Sequence, residues 1–106
     1  MTIRLSRQAR QDLDDIRSYT LDRWGRDQWL KYYRGLVEAF ERISDDPMTG
    51  RNRDLFRAGM RSLPYGKHLI FFAPIAAADG QPVILRIVHQ RRYLPGLAYY
   101  DDLDAT

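Results

Sequence analysis

The sequence predicts one α+β domain in the order β-α-α-β-β-β, with an N-terminal helical hairpin packed on an antiparallel sheet. Three observations predict this fold. Apolar residues in the first 46 positions recur at the three- and four-residue spacing of helices. From position 59 onward the pattern changes to short apolar runs separated by Gly and Pro. The 106 residues, 44% apolar and 12% aromatic, suffice for one compact core.

The first half of the sequence is predicted to form a short strand followed by two antiparallel helices. Ile3 to Leu5 is the strand candidate, and Ser6 is suited to cap the helix that follows. Gly25 is expected to end that helix in the left-handed conformation, and Asp27 to cap the second helix, which stops before Pro47. The apolar stripes are Ala9, Leu13, Ile16, Thr20 and Trp24 in the first helix and Trp29, Tyr32, Tyr33, Leu36, Val37, Phe40 and Ile43 in the second. Because the connection is short, the two helices must pack together.

The second half predicts three antiparallel strands after a loop from Met48 to Ala58. The strands are expected over Gly59 to Tyr65, His68 to Ile75 and Val83 to His89, with the last turn at Asp79-Gly80. The middle strand is apolar on both faces, which is typical of a central strand covered on both sides. The N-terminal strand is expected at an edge of the sheet, with both helices on one face.

Strand parity brings the two histidines of the chain together. His68 begins one predicted strand and His89 ends the next, so both lie on one face. That face is predicted to hold Ile70, Phe72, Val83, Leu85 and Ile87, and the opposite face Leu69, Phe71, Ala73, Ile84, Arg86 and Val88. Neighbouring imidazoles suit acid–base or metal chemistry. Because these strands offer no Cys or carboxylate to complete a ligand set, we predict no metal and interpret both as structural or surface histidines.

The net charge of +3 is unevenly distributed. Positions 1–46 carry nine basic and nine acidic residues, whereas positions 47–96 carry eight basic and two acidic ones. The last ten residues contain three aspartates and no base. This distribution predicts a basic face that meets a nucleic acid or an acidic protein segment, with an ordinary solvated surface as the alternative. We treat residues 1–106 as one domain with an acidic C-terminal tail over 97–106.

Several classes of protein are excluded by what the sequence lacks. Without Cys there is no disulfide framework and no thiol nucleophile. No serine lies in a Gly-x-Ser-x-Gly elbow, and no glycine-rich phosphate loop is present. The longest apolar stretch, Leu69 to Ala78, is too short to span a bilayer, and the N-terminus lacks the apolar core of a signal peptide. We therefore expect a cytoplasmic protein without membrane contact.

Two clusters are candidate contact surfaces. One is the run Arg91, Arg92 and Tyr93 after the last strand, together with Arg61 on a neighbouring strand. Guanidinium groups beside an aromatic ring suit phosphates, bases or carboxylates. The other surrounds the interhelical turn and consists of Trp24, Trp29, Tyr32 and Tyr33. These aromatic residues are expected to anchor a partner protein, with packing on the sheet as the alternative.

Five motifs occur in a fixed order along nearly the whole chain. They are Leu5-x3-Ala9-x3-Leu13-x2-Ile16-x2-Tyr19, Pro47-x2-Gly50-Arg51, Gly59-x-Arg61, His68-Leu69-Ile70-Phe71-Phe72 and Leu85-Arg86-Ile87-Val88-His89-Gln90-Arg91-Arg92. This set resembles the ParE branch of the ParE/RelE toxin superfamily over residues 3 to 96. The resemblance implies a cytoplasmic toxin of a type II toxin–antitoxin system that works without a cofactor. It also implies a ParD-like antitoxin as partner, indirect operator DNA binding through that antitoxin, and DNA gyrase, through its GyrA protein, as target.

The superfamily contains two activities on one fold: ParE members poison gyrase by trapping its cleaved DNA complex, and RelE members cut mRNA on the ribosome. The RNA-cutting branch has lysines on one strand, arginines at the next strand and past the last strand, and a tyrosine six residues further on. This sequence has Gly59 and Arg61 at the positions of the lysines and His68 at the position of the first arginine. Arg91 corresponds to the second arginine, and Leu97 stands in place of the tyrosine. The missing lysine and tyrosine favour the gyrase poison.

The resulting prediction is a toxin that acts by binding, with no catalytic residues of its own. Its predicted target contacts are Arg61, Arg91, Arg92 and Tyr93, and its predicted antitoxin contacts are Trp24, Trp29 and Tyr33. One alternative is a ribosome-dependent mRNA endonuclease that uses Arg61, His68 and Arg91. Another is an inactive member that only binds its antitoxin.

Overall fold

The computed structural model describes residues 3 to 90 and confirms the predicted α+β fold. The elements are β1 (Arg4–Leu5), α1 (Arg7–Trp24), α2 (Arg26–Asp45), β2 (Arg51–Asn52), β3 (Arg61–Tyr65), β4 (His68–Pro74), a 3-10 turn (Ala76–Ala78) and β5 (Pro82–His89). The five strands form one sheet in the order β1-β5-β4-β3-β2. All neighbouring strands are antiparallel except β1 and β5, which run parallel. Within residues 3 to 90, neither helix is long and apolar enough to cross a membrane.

Ser6 begins α1 as predicted and also joins the helix to the sheet. Its side-chain oxygen accepts a hydrogen bond from the Ala9 N–H at 3.0 Å. The same hydroxyl donates to the Leu85 carbonyl at 2.8 Å, and the Ser6 N–H donates to the Ile84 carbonyl. The start of α1 is therefore fixed against β5 by both backbone and side chain.

The connection between the helices differs from the prediction. Gly25 has φ +91° and ψ 178°, so it has positive φ but is not in the left-handed helical conformation. Its N–H donates to the Thr20 and Leu21 carbonyls, and its carbonyl accepts from the Trp29 N–H. One glycine thus closes α1 and opens α2, so the predicted cap at Asp27 is wrong. Asp27 lies in the first turn, where its charge is favourable to the helix dipole.

The helices bury their apolar faces against one side of the sheet. The main core contains Ala9, Ile16, Trp29, Leu36, Ala39, Phe40 and Ile43 from the helices and Leu63, Ile70, Phe72, Ile84 and Ile87 from the strands. The helical stripes predicted from the sequence supply all of its helical residues except Ala39. A second, smaller core lies on the other side, where Phe56 and Met60 cover Leu69 and Phe71. The central strand β4 is therefore covered on both faces, as predicted.

The strands near the edges depart from the prediction in length and number. Residues Arg51–Asn52, predicted as loop, form β2 and pair with β3. The strand predicted from Gly59 begins at Arg61. The turn predicted at Asp79-Gly80 is a seven-residue connection between β4 and β5 that contains the 3-10 turn. Short strands and irregular turns carry little periodicity, so the sequence does not specify them.

A β-bulge in β5 overturns part of the predicted face assignment. Phe71 pairs with Arg86 and Phe72 pairs with Ile84, so Leu85 is an extra residue on β5. The extra residue reverses the parity of everything before it. Ile84 therefore lies in the helix-side core, where Val83 was predicted.

The buried carboxylate of Asp12 connects α1 to β5. It accepts hydrogen bonds from the Arg86 guanidinium, Nε at 2.8 Å and an Nη at 3.1 Å, and from the Ile87 N–H at 2.9 Å. The Asp12 side chain is 9% exposed and the Arg86 side chain 37%. On this side of β5, β1 does not reach Ile87, so the carboxylate of Asp12 accepts the hydrogen bond that a strand carbonyl would otherwise accept. The Arg86 guanidinium balances its charge.

We expect Asp12→Ala to destabilise the fold by about 2 kcal/mol, because it leaves the Ile87 N–H and Arg86 without their acceptor. The partial exposure of Arg86 keeps the loss below that of a fully buried pair. Urea unfolding measures the change, and Asp14→Ala, at an exposed position of the same helix, is the control. Equal stability of the two variants would contradict the role of Asp12.

Candidate functional site

An open apolar groove lies where α1, α2 and the N-terminal strand meet. Its volume is about 220 Å³. Its apolar lining consists of Ile3, Leu5, Leu13, Tyr33, Val37 and Phe40, and its polar atoms come from Glu41 and Ser44. Phe40 belongs to the main core and Leu13 packs against that core, whereas Tyr33 is exposed. Such a groove suits an apolar segment of a partner protein.

The three aromatic residues predicted to contact the antitoxin have different environments. Tyr33 lines the groove and is 41% exposed. Trp29 is only 8% exposed and packs behind Tyr33, with ring centroids 5.3 Å apart. Trp24, the last residue of α1, is 64% exposed. Trp29 therefore supports the surface from within, and only Trp24 and Tyr33 present large exposed rings.

The two histidines meet as predicted, and Tyr32 joins them. His68 and His89 are directly opposed across β4 and β5, with ring centroids 5.3 Å apart. The Tyr32 hydroxyl lies 2.6 Å from Nδ1 of His68 and donates to the Tyr65 carbonyl at 3.1 Å. The tautomer of His68 decides which of the two groups donates in the short contact. The cluster connects α2 to the turn between β3 and β4.

Two glycines allow this close packing. A side chain at Gly35 of α2 would overlap the ring of Tyr65, and one at Gly66 would lie 2.7 Å from the Tyr32 ring. Each tyrosine thus covers a glycine of the other element. Gly66 also has φ +55°, which favours glycine on backbone grounds. The arrangement explains how two bulky rings, with centroids 4.9 Å apart, fit between helix and turn.

Burial dominates the ionisation of this cluster. It lowers the pKa of His68 from 6.5 to about 4, with a further lowering from His89 and an opposing effect of Asp12. Burial also raises the pKa of Tyr32 from 10.0 to about 12. Both groups are therefore neutral near pH 7, as suits a packing role. Residues 3 to 90 bring no three His, Cys, Asp or Glu side chains together around a possible metal position.

Arg61 lies apart from the histidines. It pairs with Phe72, four residues along β4 from His68, which corresponds to about 13 Å. Its guanidinium donates to the carbonyls of Thr49 and Gly50 at 3.0 and 2.9 Å. The structure therefore does not bring Arg61 and His68 together. Arg91, Arg92 and Tyr93 lie outside the described residues.

The segment from Arg51 to Arg61, which we call the basic hairpin, comprises β2, its connecting loop and the start of β3. It contains four arginines and one acidic residue, Asp54. The Asn52 side-chain amide and the Gly59 N–H both donate to Asp54, and these hydrogen bonds hold the pKa of its carboxyl below the usual value. The hairpin thus presents positive charge at the β2 edge of the sheet.

Sequence reasoning missed Asp12 and the partners of His68. Asp12 is three residues after Ala9 and four before Ile16, so an acidic residue interrupts the buried stripe of α1. That interruption is a signal that the sequence does contain. The contacts of Tyr32 with His68 and Tyr65 join residues more than 30 positions apart. A local sequence pattern therefore cannot predict them.

The two-layer fold, the groove beside the helices and the basic hairpin define a small α+β protein with two separate candidate contact surfaces. The family model "ParE toxin of type II toxin-antitoxin system, parDE" matches residues 3–94. The chain therefore belongs to the ParE toxin family.

Individual relatives agree with this assignment. Toxin ParE1 of Caulobacter vibrioides is 38% identical over 87 residues, which cover 82% of this chain and 86% of that protein. Toxin ParE1 of Mycobacterium tuberculosis is also 38% identical over 87 residues, and the matched region covers 82% of this chain and 87% of that protein. A solved structure, described as the chromosomal ParDE TA system from P. aeruginosa, has a TM-score of 0.66 and 24% identity. The superposed region covers 84% of this chain and 95% of the chain in that structure, and the similarity supports the fold.

We expect His68 to make stability depend on pH between about 6.5 and 4. In that window the folded state binds fewer protons than the unfolded state, so stability falls as the pH is lowered. Urea midpoints at pH 7, 6 and 5 measure this fall, which His68→Gln is expected to reduce. His89→Gln is expected to retain most of it, because burial is the larger cause. An NMR titration of His68 centred near pH 6.5 would contradict this account.

Proposed function

We propose that this chain is a toxin that inhibits DNA gyrase by stabilising its cleaved DNA complex, with GyrA as the protein contact. Membership of the ParE toxin family supports a toxin of a type II system. The observation that favours binding over chemistry is the environment of Arg61 and His68. The guanidinium of Arg61 is engaged by two carbonyls, and His68 is neutral and packed against Tyr32.

A ribonuclease would need those groups in another arrangement. General acid–base cleavage of RNA needs a titrating group close to the cation that stabilises the phosphorane. Here the strand positions of His68 and Arg61 are about 13 Å apart, and the histidine pKa lies well below neutrality. A gyrase poison needs neither group for chemistry, because gyrase itself breaks and rejoins the DNA. The remaining predicted target contacts, Arg91, Arg92 and Tyr93, stay part of this proposal on sequence grounds.

The partner that neutralises the toxin is a ParD-like antitoxin, which we place in the groove beside α1 and α2. The apolar lining and the exposed Tyr33 support this position. Trp24, exposed at the end of α1, stays a predicted antitoxin contact on sequence grounds. The solved relative is described as a ParDE system. Operator DNA would be reached through the antitoxin, and the cytoplasm, where gyrase and DNA are found, is the site of action.

The target is tested with purified toxin in two parallel assays. Gyrase with supercoiled plasmid is expected to accumulate linear DNA, and ribosomes translating a reporter are expected to keep the message intact. Neutralising Arg91 and Arg92 to Gln should reduce the linear DNA about fivefold, because their charges are predicted target contacts. Neutralising Arg10 and Arg42, exposed on the helices, is the matched control.

Codon-phased cleavage of the message with normal gyrase activity would overturn the proposal and identify the ribonuclease. If antitoxin binds but neither assay responds, the chain is an inactive member that only binds its antitoxin.

Tyr33→Ala is expected to weaken antitoxin binding about tenfold, because it removes an exposed ring that lines the groove. Titration calorimetry with the purified antitoxin measures the loss. Tyr19→Ala is the matched control, because Tyr19 is a 59% exposed tyrosine of α1 that does not line the groove. An equal loss in both variants would place the antitoxin elsewhere. Circular dichroism confirms that both variants remain folded.

A further inference from the structure

The basic hairpin is rigidly built although most of it is loop. The Arg53 N–H donates to the Met60 carbonyl at 2.8 Å, which extends the pairing of β2 with β3. Inside the loop, the Asp54 N–H donates to the Asn52 side chain, and the Gly59 N–H donates to the Asp54 carboxylate, both at 2.8 Å. A loop with this many internal hydrogen bonds loses little conformational freedom when it binds a partner.

The tip of the hairpin places two neighbouring apolar residues in opposite environments. Phe56 turns inward and packs on Leu69 and Phe71 in the second core. Leu55 is 82% exposed, the most exposed large apolar side chain within residues 3 to 90. Because Phe56 anchors the loop, Leu55 is held outward and cannot withdraw into the core. An exposed leucine on a rigid loop is a candidate contact residue.

The arginines of the hairpin divide into two groups. Arg53 donates to the Ser62 hydroxyl at 2.8 Å, and Arg61 to the two carbonyls already described, so both hold the hairpin together. Arg51 and Arg57 are exposed and make no side-chain hydrogen bond or ion pair within residues 3 to 90. The one acidic residue, Asp54, is bound internally by Asn52 and Gly59. Two guanidinium groups therefore remain available on either side of Leu55 in the sequence.

We infer that the basic hairpin is a contact surface for duplex DNA, with Arg51 and Arg57 on the phosphates and Leu55 as an apolar wedge in the minor groove. Guanidinium groups bind phosphates and release counterions, and leucine is among the side chains that proteins insert between base steps. Leucine is under-represented at the hot spots of protein interfaces, which favours DNA over an acidic protein. The biological setting, a cleaved DNA complex, rests on the proposed function, whereas the contact itself is measured without gyrase.

The test is the affinity of the full-length toxin for a fluorescein-labelled 20-base-pair duplex, measured by anisotropy between 50 and 200 mM NaCl. Arg51→Gln with Arg57→Gln is expected to lower affinity about tenfold and to reduce the slope of log K against log salt by about 2, since two phosphate contacts are lost. Arg10→Gln with Arg42→Gln removes the same charge from the helices and is expected to change affinity less than twofold. Equal losses in both double variants would overturn the inference, because binding would then follow net charge.

Leu55→Ala distinguishes the wedge from a purely electrostatic contact. It is expected to lower affinity about threefold with an unchanged salt slope, because no phosphate contact is lost. Unchanged affinity would overturn the wedge. If the hairpin variants bind duplex as the unmodified toxin does but lose binding to isolated GyrA, the hairpin is a protein surface and the DNA contact is wrong. The two proposals can fail separately. If the toxin has no effect on gyrase but the duplex measurements show the expected salt slopes, the proposed function is contradicted and the DNA contact is supported.

Discussion

The position of the helices on the sheet depends on the carboxylate of Asp12. β1 is only two residues long and covers β5 at Val83 and Ile84 alone. Beyond that point, Ser6 and Asp12 of the helical segment satisfy β5, through the Leu85 carbonyl and the Ile87 N–H. α1 therefore continues the pairing that β1 begins. Since α2 follows α1 after one glycine, the same contacts fix α2 and the groove between them.

The sequence was informative where one periodicity extends over many residues. The helical stripes, the cap at Ser6 and the order of the elements could all be predicted, because each follows from local spacing. His68 and His89 meet as predicted, but they do so because the bulge at Leu85 offsets the odd number of residues between β4 and β5. The bulge at Leu85 and the two-residue β2 could not be predicted, because each depends on pairing with another strand. The dual role of Gly25 rests on contacts with Thr20, Leu21 and Trp29, but it replaces the side-chain cap that Asp27 was expected to supply. The same holds for the site: Tyr33 was expected at a surface, but the burial of Trp29 becomes visible only when both helices are packed.

The two proposed contact surfaces lie at opposite edges of the sheet. The groove adjoins β1, whereas the basic hairpin contains β2 at the other end of the strand order. The groove on the helical side is lined mainly by apolar side chains, whereas the basic hairpin carries exposed arginines on a hydrogen-bonded loop. Between them the tyrosine and histidine cluster joins α2 to the turn of β3 and β4, so the surfaces belong to one packed body. The proposed antitoxin and DNA contacts therefore fall on different residues of one small domain.

Both edge strands are two residues long, and each carries an exposed arginine, Arg4 in β1 and Arg51 in β2. A long, flat edge would offer unpaired N–H and carbonyl groups to the edge of another molecule. Both edge strands are too short to form such an edge, and approach of an identical strand brings arginine toward arginine. Short edge strands that carry an exposed arginine therefore disfavour pairing between the sheets of two chains.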